Sequence, residues 1–273
     1  MLRALYSGIS GMRGFQTKLD VIGNNIANVN TPGFKAGRVL FQDILSQKMS
    51  GITAPELGVR GGVNPKQVGL GASISAIDTI HTQGSFMTTN VPTDLAIDGD
   101  GFFAVKQNGD DENIYLTRAG NFTKDAAGNL VTSQGYLVLG EGGDPISLDG
   151  VQAFEIGSNG GIYVTNADGT IEPDPIATIG LVKVQNPAGL EKVGNTMYKM
   201  TLNANPDGEI EVITPQDPDQ GTGSIVSGQL EMSNVDLTSE FTEMIVAQRG
   251  FQANSRIITT SDEILQELVN LKR

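Results

Sequence analysis

The sequence contains few side chains that suit catalysis. Its one histidine, His81, lies in the stretch DTIHTQGSF beside a predicted turn, and the chain has no cysteine. A serine or thiol nucleophile needs a base held close to it, and no nucleophile motif surrounds this histidine. We therefore expect no catalytic residue, and we predict that the protein is not an enzyme.

Metal and cofactor sites find equally little support. The stretch DGDG, Asp98 to Gly101, has the acidic residues of part of a calcium loop, but the regular acidic spacing and the closing glutamate are missing. A tight turn explains it better, and no phosphate-binding motif is present. We expect no cofactor and no metal. One alternative stays open, because any two loop carboxylates that meet in space would suit glycoside hydrolysis.

Charge narrows the range of partners. The formal net charge is -13, which argues against nucleic acid as a partner, since phosphate binding requires a basic surface. Residues 1–40 are the exception, with five basic residues and one acidic residue. Because no continuous apolar segment occurs near the N-terminus or elsewhere, we expect neither a cleaved signal peptide nor membrane insertion.

Apolar residues recur at helical spacing near both ends of the chain. In the first segment they lie seven residues apart at Leu5, Met12, Leu19 and Ile26, joined by Ile22; in the last they do so at Leu237, Met244, Phe251, Ile258 and Leu265. Asp236 is a suitable N-cap for the second helix. Since neither seam has another helix to bury it, we predict that the two helices pair as a discontinuous coiled-coil stalk.

A second face of each predicted helix is polar but uncharged. The stretch Val21 to Phe34 holds no charge and carries Asn24, Asn25 and Asn28, and Asn254 lies in a similar stretch of the last helix. Asparagine is a poor helix former, so a solvated face gains nothing from it. Gly8 and Gly11 add a stripe of small residues that allows close helix approach. A frayed, glycine-weakened helix is one interpretation; contact with several neighbouring helices is the other.

On the second interpretation the seam, the asparagines and the glycines form contacts within and between subunits. The predicted interface residues are Leu5, Gly8, Gly11, Met12, Leu19, Ile22, Asn24, Asn25, Ile26, Asn28, Leu237, Met244, Phe251, Asn254, Ile258 and Leu265.

The middle of the chain is rich in turn formers. Residues 46–74 are dense in glycine and proline, and we predict an extended arm there. From about residue 75, turn signals recur every seven to eleven residues between short apolar runs such as FFAV and YLVL, which is typical of an antiparallel all-β body. The predicted fold class is α+β. It has a helical inner domain of residues 1–45 and 231–273 and an all-β outer domain of residues 75–230.

Four ordered blocks resemble those of the bacterial flagellar axial proteins, the rod and hook family. They are LDVIGNNIANVNTPGFK, Asp94 to Val105, Leu116 to Gly140, and Ser233 to Arg273. The resemblance covers nearly the whole chain, and it does not depend on the asparagine-rich helix alone.

The resemblance implies a structural subunit that assembles with itself into a helical homopolymer. The terminal helices would line a tube, and the β domain would pack outside it. Implied partners are other axial, junction and cap proteins and the flagellar type III export apparatus, which exports subunits without a cleaved signal peptide to the flagellum. Within the family, the C-terminal block and the arm favour a hook subunit, with the distal rod protein as the alternative. An extracellular β-domain adhesin is a remote alternative.

Overall fold

The computed structural model describes residues 2–52, 55, 61–107, 113–151, 153–165, 173–206, 208, 210–218 and 220–271. The chain divides into two compact units. The helical unit comprises Met1–Ala27, Gly37–Thr79 and Asp236–Arg273, and the β body comprises Asn28–Ala36 and Ile80–Val235. The predicted α+β class is confirmed.

The helical unit contains two long helices, α1 (Leu2–Ala27) and α2 (Leu237–Asn270). Asp236 is the N-cap of α2, as predicted, and its side chain accepts a hydrogen bond of 2.9 Å from the Thr238 N–H. Glu240 in the first turn adds a negative charge at the positive end of the helix. The chain leaves α1 before Pro32, which cannot continue a helix, and before Gly33, whose φ of 70° lies outside the helical region.

The described part of the helical unit also contains four strands. They are β1 (Gly37–Asp43), β2 (Ser46–Ser50), β3 (Lys66–Gly69) and β4 (Ala72–Thr79). β1 pairs with β4 and β2 with β3, both antiparallel. The segment predicted as an extended arm, 46–74, thus contains paired strands among its described residues; residues 53, 54 and 56–60 lie outside them. β2 and β3 are almost entirely exposed, so they lack the hydrophobic alternation that reveals a strand in sequence.

The unit boundaries also differ from the sequence-based ones. Residues 75–79 continue β4, which pairs with β1, so they belong to the helical unit and the β body begins at Ile80. At the other end the body extends to Val235, because the last strand, Gln229–Glu231, pairs with Phe86–Thr88 near its start.

The β body is built from antiparallel strands, as predicted. They are β5 (Phe86–Thr88), β6 (Leu95–Asp98), β7 (Phe102–Lys106), β8 (Ile114–Thr117), β9 (Phe122–Lys124), β10 (Leu130–Thr132), β11 (Leu137–Val138), β12 (Phe154–Ile156), β13 (Gly161–Val164), β14 (Ala177–Thr178), β15 (Leu181–Val182), β16 (Glu191–Gly194), β17 (Met197–Lys199), β18 (Ser224–Ser227) and β19 (Gln229–Glu231). The largest sheet has the order β16-β17-β8-β7-β11-β10-β9, with β15 also paired to β7. Smaller sheets are β12-β13-β14, β18-β6 and β19-β5.

Strand β7 separates two apolar clusters. Phe103 and Val105 point into the larger cluster, and Phe102 and Ala104 point into the smaller one. This follows from the two-residue period of a strand, which sends alternate side chains to opposite faces. A strand that is buried on both faces has a continuous run of apolar residues in its sequence, and the run FFAV, Phe102 to Val105, has this pattern.

A buried ionic cluster joins distant segments of the β body. The Glu231 carboxylate accepts hydrogen bonds from Lys35 at 2.5 Å, Arg118 at 3.2 Å and the Gly84 N–H at 2.9 Å. The Lys35 and Glu231 side chains are 1% and 0% exposed. Burial lowers the pKa of Lys35, and the charge of Glu231 beside it acts in the opposite direction. One carboxylate thus holds two buried cations.

His81 lies beside this cluster as an aromatic packing residue. Its ring centroid lies 5.8 Å from that of Phe102 and 5.4 Å from that of Tyr198. Burial, with the positive charges of Lys35, Lys192 and Arg118, lowers its pKa from 6.5 to about 4. The ring is therefore neutral at physiological pH.

Acidification should therefore weaken the β body through His81. Below pH 6.5 the His81 ring binds a proton in the unfolded chain, whereas in the folded chain it stays neutral until about pH 4. The free energy of unfolding therefore decreases as the pH falls through this window. We expect a loss of about 1 kcal/mol between pH 7 and pH 5, after allowing for the partial exposure of the ring. Urea unfolding at both pH values should show this loss in the wild type and a smaller one in His81→Gln. Equal pH dependence in the two proteins would contradict the assignment.

Candidate functional site

The two helices of the helical unit lie side by side. Gly8 and Gly11 of α1 face Asn254 and Ile258 of α2, and Phe15 faces Gly250. Lys18 pairs with Glu243 at 3.1 Å, and Asn25 contacts Glu240. The residue numbers of the partners on α2 decrease as the residue numbers on α1 increase, so the two helices run antiparallel.

Small residues let the two helices approach closely. A methyl group added to Gly11 would lie 2.5 Å from the Asn254 amide nitrogen. One added to Gly250 would lie 2.6 to 2.8 Å from three atoms of the Phe15 ring. The Phe15 ring in turn packs against Phe41 of β1, with 5.9 Å between ring centroids. The glycines therefore serve the contact between the chain's own helices.

A pair of glycine substitutions on the helices tests this contact. Gly250→Ala should lower the free energy of unfolding of the helical unit by about 1–3 kcal/mol, because the Phe15 ring must move. Gly23→Ala is the matched control, since among the described residues no atom lies within 4 Å of the added methyl group. That change should stabilise α1 by about 0.8–1 kcal/mol through helix propensity. Circular dichroism during urea unfolding measures both, and equal effects of the same sign would contradict close packing at Gly250.

Asn25 is the most constrained of the predicted asparagines. It is buried, and its amide nitrogen donates to the Gly37 carbonyl at 2.9 Å and to Glu240 Oε1 at 3.0 Å. Its amide oxygen accepts from the Gly37 N–H at 2.9 Å. Burial raises the pKa of the Glu240 carboxyl, and the hydrogen bond from Asn25 acts against this rise. One side chain thus fixes the start of β1 and the first turn of α2 against α1.

The other predicted interface residues differ in burial. On α1, Gly8 and Ile22 are buried, Asn24 is exposed, and the half-buried residues are Leu5, Gly11, Met12, Leu19, Ile26 and Asn28. On α2, Met244, Asn254 and Ile258 are half-buried, and Leu237, Phe251 and Leu265 are just over a third exposed. The assignment of these residues to contacts between copies stays a prediction.

Sequence reasoning missed the most buried positions of α2. Ala247 and Ser261 are buried, and together with Glu240 and Asn254 they form a column with seven-residue spacing. The seven-residue spacing of these small and polar residues could have indicated the buried face of α2. A pattern based on large apolar residues does not include them. The α2 face toward α1 is thus narrower and more polar than the predicted seam.

Large apolar side chains remain exposed on α2. Phe241, Ile245 and Val246 are 50%, 55% and 58% exposed. Phe241 and Ile245 are four residues apart and so share one helix face, and an exposed apolar patch of this kind suits contact with another protein.

Metal-binding clusters and membrane-spanning helices are both absent from the described part of the chain. Within it, no group of three or more histidine, cysteine, aspartate or glutamate residues is placed to hold a metal ion. None of the described helices combines the length and hydropathy needed to cross a bilayer. The helix pair and its exposed apolar residues suit association with other proteins.

Three protein-family models match the chain. The flagella basal body rod protein model matches residues 5–35, the flagellar hook protein FlgE/F/G D1 domain model matches residues 96–171, and the flagellar basal body rod FlgEFG protein C-terminal model matches residues 226–271. The flagellar basal-body rod protein FlgG of Bacillus subtilis (strain 168) is 54% identical over 274 residues, covering 100% of both chains. The chain belongs to the flagellar rod and hook family. Membership confirms the resemblance and the expectation of a structural protein rather than an enzyme.

Hook proteins of the rod and hook family match less completely. The flagellar hook protein FlgE of Borreliella burgdorferi is 30% identical, with 100% of both chains covered, but its alignment needs 452 positions for the 273 residues of this chain. That of Treponema pallidum (strain Nichols) is 55% identical over 141 residues, which cover 51% of this chain and 30% of the hook protein. The preference for a hook subunit is therefore less well supported than its alternative, the distal rod protein.

Proposed function

We propose that the protein is a structural subunit of the distal rod of the flagellar basal body. The observation that carries the proposal is the match at 54% identity with a basal-body rod protein, which extends from end to end of both chains. The hook relatives are longer than this chain, since one alignment extends over 452 positions and the other covers 30% of the hook protein. The length of this chain therefore matches that of the rod relative and not that of the hook relatives.

The helical unit has the properties of a self-assembling element. Its helices bury small and polar residues against each other, and large apolar side chains such as Phe241 and Ile245 face water. Burying such side chains contributes about 1.5–3 kcal/mol each. Repeated contacts between copies would bury these surfaces, and a head-to-tail contact that does not close generates a helical homopolymer.

We also propose positions in the polymer for the helical unit and for the β body. The paired helices, extended as a coiled-coil stalk, would form the inner domain around the axis, and the β body would form the outer domain. The protein would act with other axial, junction and cap proteins and reach the flagellum through the type III export apparatus. These parts rest on membership of the rod and hook family. An adhesin would have no use for the helix pair.

A charge on the asparagine face tests whether copies meet there. Asn24 is exposed in the single chain, so Asn24→Lys should leave the unfolding free energy within about 0.5 kcal/mol. In the polymer the same lysine would be buried without a partner, which should abolish assembly and swimming. Asn24→Gln, which stays neutral, is the control and should swim. Normal swimming of the Asn24→Lys strain would contradict a contact at this face.

A deletion strain of the source bacterium separates rod from hook. If the chain is a distal rod subunit, isolated basal bodies should lack the outer part of the straight axial segment and everything beyond it. If it is a hook subunit, the straight segment should be complete and only the curved segment and filament should be missing. Electron microscopy of isolated basal bodies distinguishes the two, and complete flagella in the deletion strain would refute both.

A further inference from the structure

The helical unit contains an open apolar groove between α1 and the strands packed beside it. Its volume is about 420 Å³, and its walls include Ile9 of α1 together with Ile44, Leu70 and Ile74. Arg13 is the one charged residue among those that line it. Within the described part of the chain no carboxylate forms a salt bridge with Arg13. The groove thus combines an apolar wall with one available positive charge.

The end of α2 carries an apolar row of matching character. Every residue from Asp262 to Asn270 is exposed. Ile264, Leu268 and Leu271 are 44%, 51% and 82% exposed, and their spacing of i, i+4 and i+7 places them on one helix face. This is the pattern by which a helix docks into an apolar groove.

The charges of the row complement the groove. Residues 262–271 contain three acids, Asp262, Glu263 and Glu267, and no basic residue; the two basic residues Lys272 and Arg273 follow them in the sequence. Glu263 and Glu267, four residues apart, lie along one edge of the apolar row. A helix docked by this row would therefore bring a carboxylate close to Arg13.

The groove cannot take the end of α2 from its own chain. The α1 residues that line it include Ile9 and Arg13, and Gly11 between them faces Asn254 of α2. Leu268 lies 14 residues beyond Asn254. At 1.5 Å per residue this is about 21 Å along the helix axis. Only another molecule can supply the row.

We propose that the groove of one copy binds the Ile264, Leu268 and Leu271 row of α2 from a second copy, with Arg13 facing Glu267. The contact joins two different surfaces, so it is heterologous, and it extends from copy to copy as a helical filament when the rotation between copies does not close a ring. The inference rests on the proposed function, because it specifies the contact by which rod subunits would assemble.

Cysteine cross-linking tests the contact directly, because the chain has no cysteine of its own. The test variant carries Ile9→Cys in the groove and Leu268→Cys in the row, and the control carries Ile9→Cys with Gln266→Cys. Gln266 lies on the opposite face of the helix from the row. Each variant replaces the wild-type copy in flagellated cells, and isolated basal bodies are oxidised and run on non-reducing gels.

The Ile9/Leu268 variant should give a ladder of dimers, trimers and larger species, several-fold stronger than the control. Absence of a ladder from basal bodies that contain the variant, or equal ladders in variant and control, would overturn the proposed contact while leaving the rod function intact. Absence of the unaltered protein from basal bodies would instead refute the proposed function.

A charge exchange decides the question if the cysteine variant fails to enter basal bodies. Arg13→Glu should lose swimming, because it places two carboxylates together. Arg13→Glu combined with Glu267→Arg should restore it, whereas Arg13→Glu with Asp20→Arg, a charge change elsewhere on α1, should not. Failure of the Glu267→Arg change to restore swimming would overturn the proposal.

Discussion

Replacing Glu231 with glutamine should lower the free energy of unfolding of the β body by about 3–5 kcal/mol. The side chain keeps its size, but Lys35 and Arg118 lose the one carboxylate that they share. Two buried cations would then face each other without a counter-charge. Removing one member of a buried ionic group costs more than the group itself contributes, because the remaining charge cannot reach water.

Differential scanning calorimetry or urea unfolding of the full chain measures this loss. Glu155→Gln is the matched control, because it makes the same chemical change at an exposed strand position of the same body. The control should alter stability by less than about 0.5 kcal/mol. A loss below about 1 kcal/mol for Glu231→Gln would show that the ionic cluster is not what holds these segments together.

Replacing Asn25 with alanine should destabilise the helical unit by about 2–3 kcal/mol. The change removes three hydrogen bonds at once and leaves the Gly37 N–H and carbonyl without their partner. Glu240 would lose a hydrogen bond that stabilises its ionised form, in a site where burial already raises its pKa. Alanine is the better helix former, so the measured loss is reduced by a few tenths of a kcal/mol.

Loss of helical circular dichroism with urea follows the unfolding of α1 and α2. The neighbouring change Asn24→Ala is the control, because that side chain is exposed and alanine should leave stability unchanged or slightly raised. Similar losses for Asn24→Ala and Asn25→Ala would contradict the central role of Asn25. That outcome would favour the interpretation of the asparagine-rich stretch as a frayed helix end.

Local chemistry made much of the fold predictable from sequence. Asp236 marks the start of α2, Pro32 and Gly33 follow the end of α1, and the run FFAV marks a strand buried on both faces. Each signal is local, because a cap, a helix breaker or a two-residue alternation depends on a few neighbouring residues. The same signals predicted an antiparallel body between two helices.

Other features depend on residues that are far apart in the chain. Lys35 and Glu231 are separated by 196 residues, and the sequence near each of them gives no indication that the two side chains form an ion pair. Asn25 resembles its neighbours Asn24 and Asn28 in sequence, and nothing near it in the chain indicates that its side chain bonds both Gly37 and Glu240. Strands β2 and β3 are polar and exposed, so only their pairing reveals them.

The choice between hook and rod illustrates a further limit. The blocks that carry the resemblance lie in the helical ends and the β body, and the family models that match the chain are named for rod proteins and for hook proteins alike. The difference lies in long segments that the hook relatives possess and this chain lacks. Matching residues therefore identified the family, whereas the length of the alignment favours one member over another.

Immunogold electron microscopy of detached flagella with intact basal bodies tests the central claim most directly. The antibody should recognise the β body, residues 80–235, which the proposal places on the outside of the tube. The account predicts gold along the straight axial segment below the hook. Gold along the curved segment would show a hook subunit and contradict the rod assignment, and absence of gold from every axial structure would contradict the proposed function altogether.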